Sequence, residues 1–359
     1  MTAKYFAPEF RVEVDGHSLA ADLTKNITDV SVTMARDGID TMRLALANPY
    51  PALRWTHTSD GDLFFAGTAL RVWMGYAGEL AVIFDGEVTG MTPSFPASGP
   101  PTLRVEASNR LHRLQQKFDL ISLRDATDGE MVCRIAAASG LGAEVDDPGT
   151  PYAQLSTDRR AHLEYLLERA RAVGREVWVE GKTLHFSAPR DDAEPAYTLV
   201  WGRTRESDAP GSLPLQSFNP TLDVRRQLTT VIVRGQHPLT REVIEGRAGV
   251  EAGSPGGGET GAGMRAAMGG PAEMVVVCEP VASRAEAEAR ARALYAERAM
   301  ELIQGSGDTL GIPGLRPGKV VTLDGLGRFN GRYYVTQATH SMGGGGYQTN
   351  FSVQKDSIG

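Results

Sequence analysis

Apolar and polar residues alternate in short runs over the first hundred or so positions, and turn residues separate the runs. "FRVEVDG" sets Val12 and Val14 against polar partners, and "VSVTMARDGIDTMRLAL" holds two such runs joined at Asp37-Gly38, a hairpin signal. "LRVWMGY", "AVIFDGEVTG" and "PTLRVEAS" follow, divided by Gly-rich or Pro-rich turns. Five or six strands at this spacing predict a closed or sandwich-like β domain.

The period then lengthens. Asp128 is placed to cap a helix that carries Met131, Ile135 and Ala138, and Gly140 to end it. A second helix is expected after Ser156 or Thr157, with Leu163, Leu166, Leu167, Ala170 and Val173 on its apolar face and Gly174 as its stop. "REVWVEGKTLHF" reads as a hairpin turning at Glu180-Gly181. Strands resume at "TTVIVRG". Ten glycines in the 25 positions from Gly246 to Gly270 predict a mobile loop, because ordering it costs about 1 to 2 kcal/mol per residue with little burial in return. Ser283 and Glu286 match a capping box, and Ala289, Ala293, Ala296, Met300 and Ile303 form a seam on the helix expected over 283–303. The resulting division is 1–112 as a first β-barrel, 113–200 as an α/β unit, and 201–359 as a second barrel that carries the helix and the 246–270 loop.

Composition narrows the chemistry. The 359 residues carry a formal charge of -7, the reverse of the footprint expected for sequence-specific nucleic-acid binding. Cys133 and Cys278, the only cysteines, are too far apart in sequence for a metal knuckle and are expected to be small buried hydrophobes. No signal-peptide pattern opens the chain and no run nears the ~18 apolar residues of a membrane span, so folding in a cytoplasm is expected. A literal GxGxxG at Gly256, Gly258 and Gly261 lacks a leading apolar strand and a following amphipathic helix, and "GKT" at 181–183 lies in the expected hairpin. The seven histidines are scattered. His340-Ser341 are adjacent on a strand and therefore point to opposite faces; Asp85 and Glu87 share a face around Gly86. No residue earns a catalytic, cofactor-binding or metal-ligating role, and no cofactor is expected.

Residues 70–107 echo residues 319–354. In each a strand and turn lead to a long strand, a loop and another strand. Phe84-Asp85-Gly86-Glu87 aligns with Phe329-Asn330-Gly331-Arg332, and the Gly343–Gly346 run takes the place of "PASGPP" as a link between antiparallel strands. A duplicated β domain is the expectation.

"LRVWMGYAGELAVIFDGEVTGMTPSFPASGPPTLRVEASNRLHRL", "AAASGLGAEV" with "LEYLLERARAVGREVWVEGKTLHF", and "GIPGLRPGKVVTLDGLGRFNGRYYVTQATHSMGGGGYQTNFSV" together resemble the late control protein D family of contractile phage tails. The same hub module begins VgrG proteins of type VI secretion. The resemblance runs along nearly the whole chain. It implies a mainly β, α+β fold of two tail-tube-like antiparallel β-barrels with an α/β insertion domain, assembled as a homotrimeric baseplate hub. The implied partners are a central spike protein, a tail tube or tube-initiator protein, and baseplate wedge proteins. The implied location is the virion tail, built in a bacterial cytoplasm. Three chains with two similar barrels each would present six near-equivalent units to a six-fold tube and remain three-fold toward a spike. An acidic lumen would let a polyanion slide. Unlike full-length VgrG, the sequence ends at Gly359 soon after the second barrel, so a separate spike chain is expected. The alternatives are the hub of a type VI or extracellular contractile injection system and, from another class, a β-rich hydrolase or carbohydrate-binding protein using Asp85/Glu87 or His340/Ser341.

Overall fold

The computed structural model describes residues 7–47, 62–202, 211–237, 240–249, 258–277, 281 and 283–359. The first part contains β1 (Pro8–Val14), β2 (His17–Ser18), α1 (Ala21–Lys25), β3 (Ile27–Ala35), β4 (Thr41–Ala47), β5 (Ala69–Tyr76), β6 (Glu79–Ser94) and β7 (Thr102–Asn109). They pair antiparallel in the order β2-β1-β5-β6-β7-β4-β3. Alternation sends Val12, Val14, Val30, Val32, Leu44 and Val105 into one core and leaves their neighbours outside, while Val72 joins the same core from β5, whose residues 72–76 are all buried. Each fully buried aliphatic side chain contributes roughly 1.5 to 3 kcal/mol. The expected hairpin at Asp37-Gly38 is present, with Asp37 at φ +54°.

The middle part holds β8 (Ser122–Ala126), α2 (Asp128–Ala138), β9 (Gly142–Val145), β10 (Tyr152–Ser156), α3 (His162–Val173), β11 (Glu176–Glu180) and β12 (Thr183–Ser187) around a separate core. Thr127, not Asp128, caps α2, in a capping box with Glu130. The Asp128 carboxylate is instead buried against Arg169 at 2.6 and 2.9 Å. Met131 and Ile135 are buried as expected, Ala138 is exposed, and Cys133, expected to be buried, is exposed. α3 starts five residues after Thr157, with Ala161 at its N-cap and no side-chain cap; Thr157 instead bridges Ile121 and Asp119. Gly174 ends α3 at φ +64°, and β11 turns into β12 through Gly181-Lys182.

The last part comprises β13 (Tyr197–Trp201), β14 (Ser212–Leu222), β15 (Thr230–Gln236), β16 (Val243–Gly249), β17 (Glu259–Thr260), α4 (Gly261–Gly269), β18 (Glu273–Val277), α5 (Arg284–Met300), β19 (Ile303–Leu310), β20 (Val320–Asp324), β21 (Gly331–Gly343), β22 (Gly346–Lys355) and β23 (Ser357–Ile358). β13-β20-β21-β22-β19-β14 close into a six-stranded barrel, because β14 pairs with β13. β15, β16 and β18 form a separate small sheet, with α5 packed on it around Val231, Val233, Ala287, Ala291 and Tyr295.

The mobile loop expected at 246–270 is not what the described part of that stretch forms. Residues 250–257 lie outside the described residues, but 246–249 continue β16 and 261–269 are helical. Here glycine serves close packing: a Cβ on Gly246 would stand 2.2 Å from the Glu288 backbone nitrogen in α5. The α5 seam is also displaced from the expected one. Ser283 does accept from the Glu286 amide, but the buried positions are Glu286, Ala287, Ala291 and Tyr295, and Ile303 belongs to β19. Alanine recurs on every face of this helix, so hydrophobic pattern could not orient it. Cys278 lies outside the described residues.

Number the six barrel strands of each half by chain order. The first half (β1, β3, β4, β5, β6, β7) and the second (β13, β14, β19, β20, β21, β22) then share one spatial order, 1-4-5-6-3-2. They differ at the first strand: β1 is antiparallel to β5, whereas β13 is parallel to β20. They also close differently. The edge of β3 that would complete the first ring pairs with β21 instead.

Candidate functional site

The most heavily built region is the joint between the barrels. One edge of β21 serves two neighbours in succession, β20 along residues 331–334 and β3 along 337–343. A bulge between Val335 and Gln337 makes the handover. Arg36 donates its amide to the Thr336 carbonyl at 2.8 Å, and the Thr33 and Thr339 hydroxyls meet at 3.1 Å. The β21–β22 hairpin carries Met342 and Tyr347 into the first core, where the Tyr347 ring lies 5.6 Å from that of Tyr76. Its tip is the glycine run: Gly343 pairs with Gly346, which sits at φ +88°. These glycines make a turn between antiparallel strands, the role assigned to them from sequence.

The middle part is pinned to the same place. The Asp37 carboxylate accepts the Val177 amide at 3.0 Å, and the Tyr334 hydroxyl donates to Glu176 at 2.7 Å with Arg36 at 3.4 Å from the same carboxyl. Burial raises the Glu176 carboxyl to about 7, although Tyr334 and Arg36 pull the other way. Burial likewise pushes Asp40 up to about 6 against hydrogen bonds from the Ala35 amide and Asn109. A cleft of about 520 Å³ opens beside these groups, lined by Arg36, Asp37, Glu176, Trp178, Arg316 and Tyr334. Among these only Asp37 stood out from sequence, as part of the expected hairpin turn; nothing local pairs it with Val177, 140 positions away.

Asp85 and Glu87, the candidate carboxylate pair, are consumed by guanidinium groups. Arg110 meets Asp85 at 2.6 Å and also donates to the Gly181 carbonyl at 2.8 Å, and Arg71 forms a second ion pair with Asp85. Arg113 pairs with Glu87. Burial works to raise the Asp85 carboxyl, but hydrogen bonds from Arg110 and Arg71 outweigh it and hold it below the usual carboxylate range. Gly86 lies between them because a Cβ there would fall 2.3 Å from the Ser108 carbonyl oxygen. These contacts tie the first barrel to the β11–β12 turn.

His340 is fully buried, and its ring nitrogens contact the Tyr347 hydroxyl at 2.9 Å and the Leu315 carbonyl at 3.0 Å. The carbonyl fixes a hydrogen on Nε2, leaving Nδ1 to accept from Tyr347. Burial pushes the imidazole down to about 4. Ser341 lies on the other face, so the two do not come together. Of the GxGxxG, Gly256 is outside the described residues. Contrary to the expectation from sequence, a short helix, α4, does follow, but its lead-in β17 has two residues and Gly261 faces the Gln227 side chain. Lys182 is in the β11–β12 turn.

No curated protein matches the chain. Among solved structures it is similar to the 43 kDa tail protein of prophage MuSo2 from Shewanella oneidensis, with a TM-score of 0.72 and 14% identity over 98% of this chain and 100% of that one. A tail protein from Neisseria meningitidis MC58 gives 0.72 and 13%, over 98% and 97%. The E. coli c3393 protein, a component of the type VI secretion system, gives 0.60 and 10%, over 96% and 77%. At these identities the likeness shows the fold, a mainly β tail-protein architecture. None of the described helices is long and apolar enough to cross a membrane. The matching family description does not name the D family that the sequence resembles. It covers residues 6–343, and the chain belongs to the family described as the Alg8 N-terminal domain.

Proposed function

We propose that this chain is a non-enzymatic structural hub of a contractile tail, a homotrimer that joins a six-fold tail tube to a three-fold central spike. The observation that carries the reading is the shared strand order 1-4-5-6-3-2 of the two barrels. A trimer built from such chains offers six similar units on one face and three identical chains on the other. The commitment of Asp85, Glu87 and His340 to ion pairs and core hydrogen bonds favours a structural over a hydrolytic role. Tail proteins among the similar folds support the phage setting. A hub of a type VI or extracellular injection system is the second reading, supported by the likeness to the E. coli type VI component.

In either setting the neighbours are a spike, a tube or tube-initiator ring, and wedge proteins around the rim. Quantitative mass spectrometry of purified particles should find three copies of the chain per assembly, together with tube and spike proteins. One or six copies, or a free chain that turns over a substrate, would sink the hub reading.

A further inference from the structure

The joint between the barrels has an open counterpart elsewhere in the chain. β6 and β21 hold the same position in their barrels, as do β3 and β14, and irregularities in the ladders set the correspondence residue by residue. β6 slips against β7 between Val88 and Gly90, as β21 slips against β22 between Val335 and Gln337. Val88 exchanges backbone hydrogen bonds with Gly67 and Thr68 at 2.8 and 2.9 Å, as Val335 does with Gly318 and Lys319 at 3.0 and 2.9 Å. This register lays "VTGMTPS" (88–94) on "VTQATHS" (335–341), two residues away from the alignment suggested by Phe84 and Phe329. β3 slips against β4 between Ile27 and Asp29, and β14 against β19 between Leu215 and Ser217, which lays 29–35 on 217–223. Past these slips β21 pairs with β3. The matching edges of β6 and β14 have no strand partner among the described residues.

We infer that these two edges are the halves of a joint between copies of this chain: β6 of one copy lies antiparallel beside β14 of the next, in the register β21 and β3 use internally. The inference rests on the three-copy reading above. It sets Thr92 opposite Thr221 and Met91 opposite Leu222. The internal joint holds a threonine pair, Thr33 with Thr339, at the same rung, so both halves carry threonine at both positions. Ala338 and Val32 are buried in that joint, whereas Thr92, Ser94, Thr221 and Leu222 are exposed. A single head-to-tail rule, applied alternately within and between chains, closes six barrels from three copies.

The two kinds of joint differ at one rung. Arg36 bonding to Thr336 makes His340–Val32 a hydrogen-bonded rung, since bonded rungs alternate in antiparallel pairs. Its counterpart is Pro93–Pro220, which has no N–H on either side and whose rings hold the backbones apart. Proline at such an edge discourages pairing with unrelated strands. Joints between copies are therefore interrupted ladders and joints within a chain continuous ones.

The test is a Thr92→Cys/Thr221→Cys double variant of the full chain, with Cys133→Ser and Cys278→Ser removing other thiols. The 92–221 rung is a non-bonded pair with Cα atoms about 4.5 Å apart, within disulfide reach. Mild oxidation should give covalent dimers and trimers from the double variant and none from either single one. A trimer by light scattering that fails to cross-link overturns this joint and leaves the three-copy reading standing; a chain monomeric at tens of micromolar overturns both. Pro93→Val with Pro220→Val restores two backbone donors per joint and should tighten the trimer at least about tenfold. An unchanged dissociation constant would refute the interrupted ladder.

Discussion

Glu176 is the residue at which all three parts of the chain meet: it sits on β11, accepts from Tyr334 of the second barrel and faces Arg36 of the first. Its carboxyl is raised by burial from an ordinary 4.5 to about 7, so between those values the folded chain holds a proton that the unfolded chain has released. The resulting stability is fully present below about pH 4.5 and lost as pH rises through 7, up to about 3 kcal/mol in all. Buried His340 acts in the opposite sense. Its imidazole is pushed down to about 4, so its contribution is present above pH 6.5 and lost as pH falls through 4. The two slopes oppose each other, and a variant must separate them. Glu176→Gln should be more stable than the parent at pH 8 and lose that advantage at pH 5, read by urea unfolding at the two pH values. Parallel profiles would mean that Glu176 stays ionised.

At the scale of elements, glycine decides how closely a helix approaches a sheet. α5 lies on β16 at Gly246, where an added Cβ would meet the Glu288 nitrogen at 2.2 Å and the Ala287 carbonyl carbon at 2.3 Å. Both are backbone atoms, so the whole helix must shift. Gly246→Ala should therefore destabilise by about 1 to 3 kcal/mol in urea unfolding. Gly344→Ala, at a turn position with nothing within 4 Å, is the control and should change stability by less than about 0.5 kcal/mol. Equal effects would show that the α5–β16 approach is not limiting. The same physics explains why a glycine-dense stretch reads as a loop in sequence yet supplies strand and helix: glycine's lack of side chain is a deficit for burial and an advantage for contact.

Over the whole molecule, β21 links the barrels into a single sheet, and its hairpin plugs Met342 and Tyr347 into the other barrel's core. Neither barrel can open without breaking part of this strand's pairing. The chain should consequently unfold with the two barrels in one transition, and Met342→Ala, which leaves a cavity in the first core, should lower that transition as a unit by about 2 to 5 kcal/mol. Two resolved barrel transitions in calorimetry, only one of them moved by the substitution, would contradict a shared sheet.

The order of residues by itself determined much of this molecule: the strands of the first half, the Asp37-Gly38 and glycine-run turns, the Gly174 stop and the echo between the two ends of the chain. Those features are local, set by period, turn chemistry and backbone freedom within a few residues. Helix caps were read within a residue or several, since Thr127 and Asp128 compete for one role and only packing against Arg169 chose between them. Tertiary structure alone decided the face of the Ala-rich α5, the closure of one barrel and not the other, and the meeting of Arg36, Glu176 and Tyr334. It also decided the register of the echo, because the bulges and edge partners that fix which residues correspond leave no mark on composition. Those outcomes depend on which distant strand occupies an edge, a competition among whole surfaces that the order of residues in one segment does not encode.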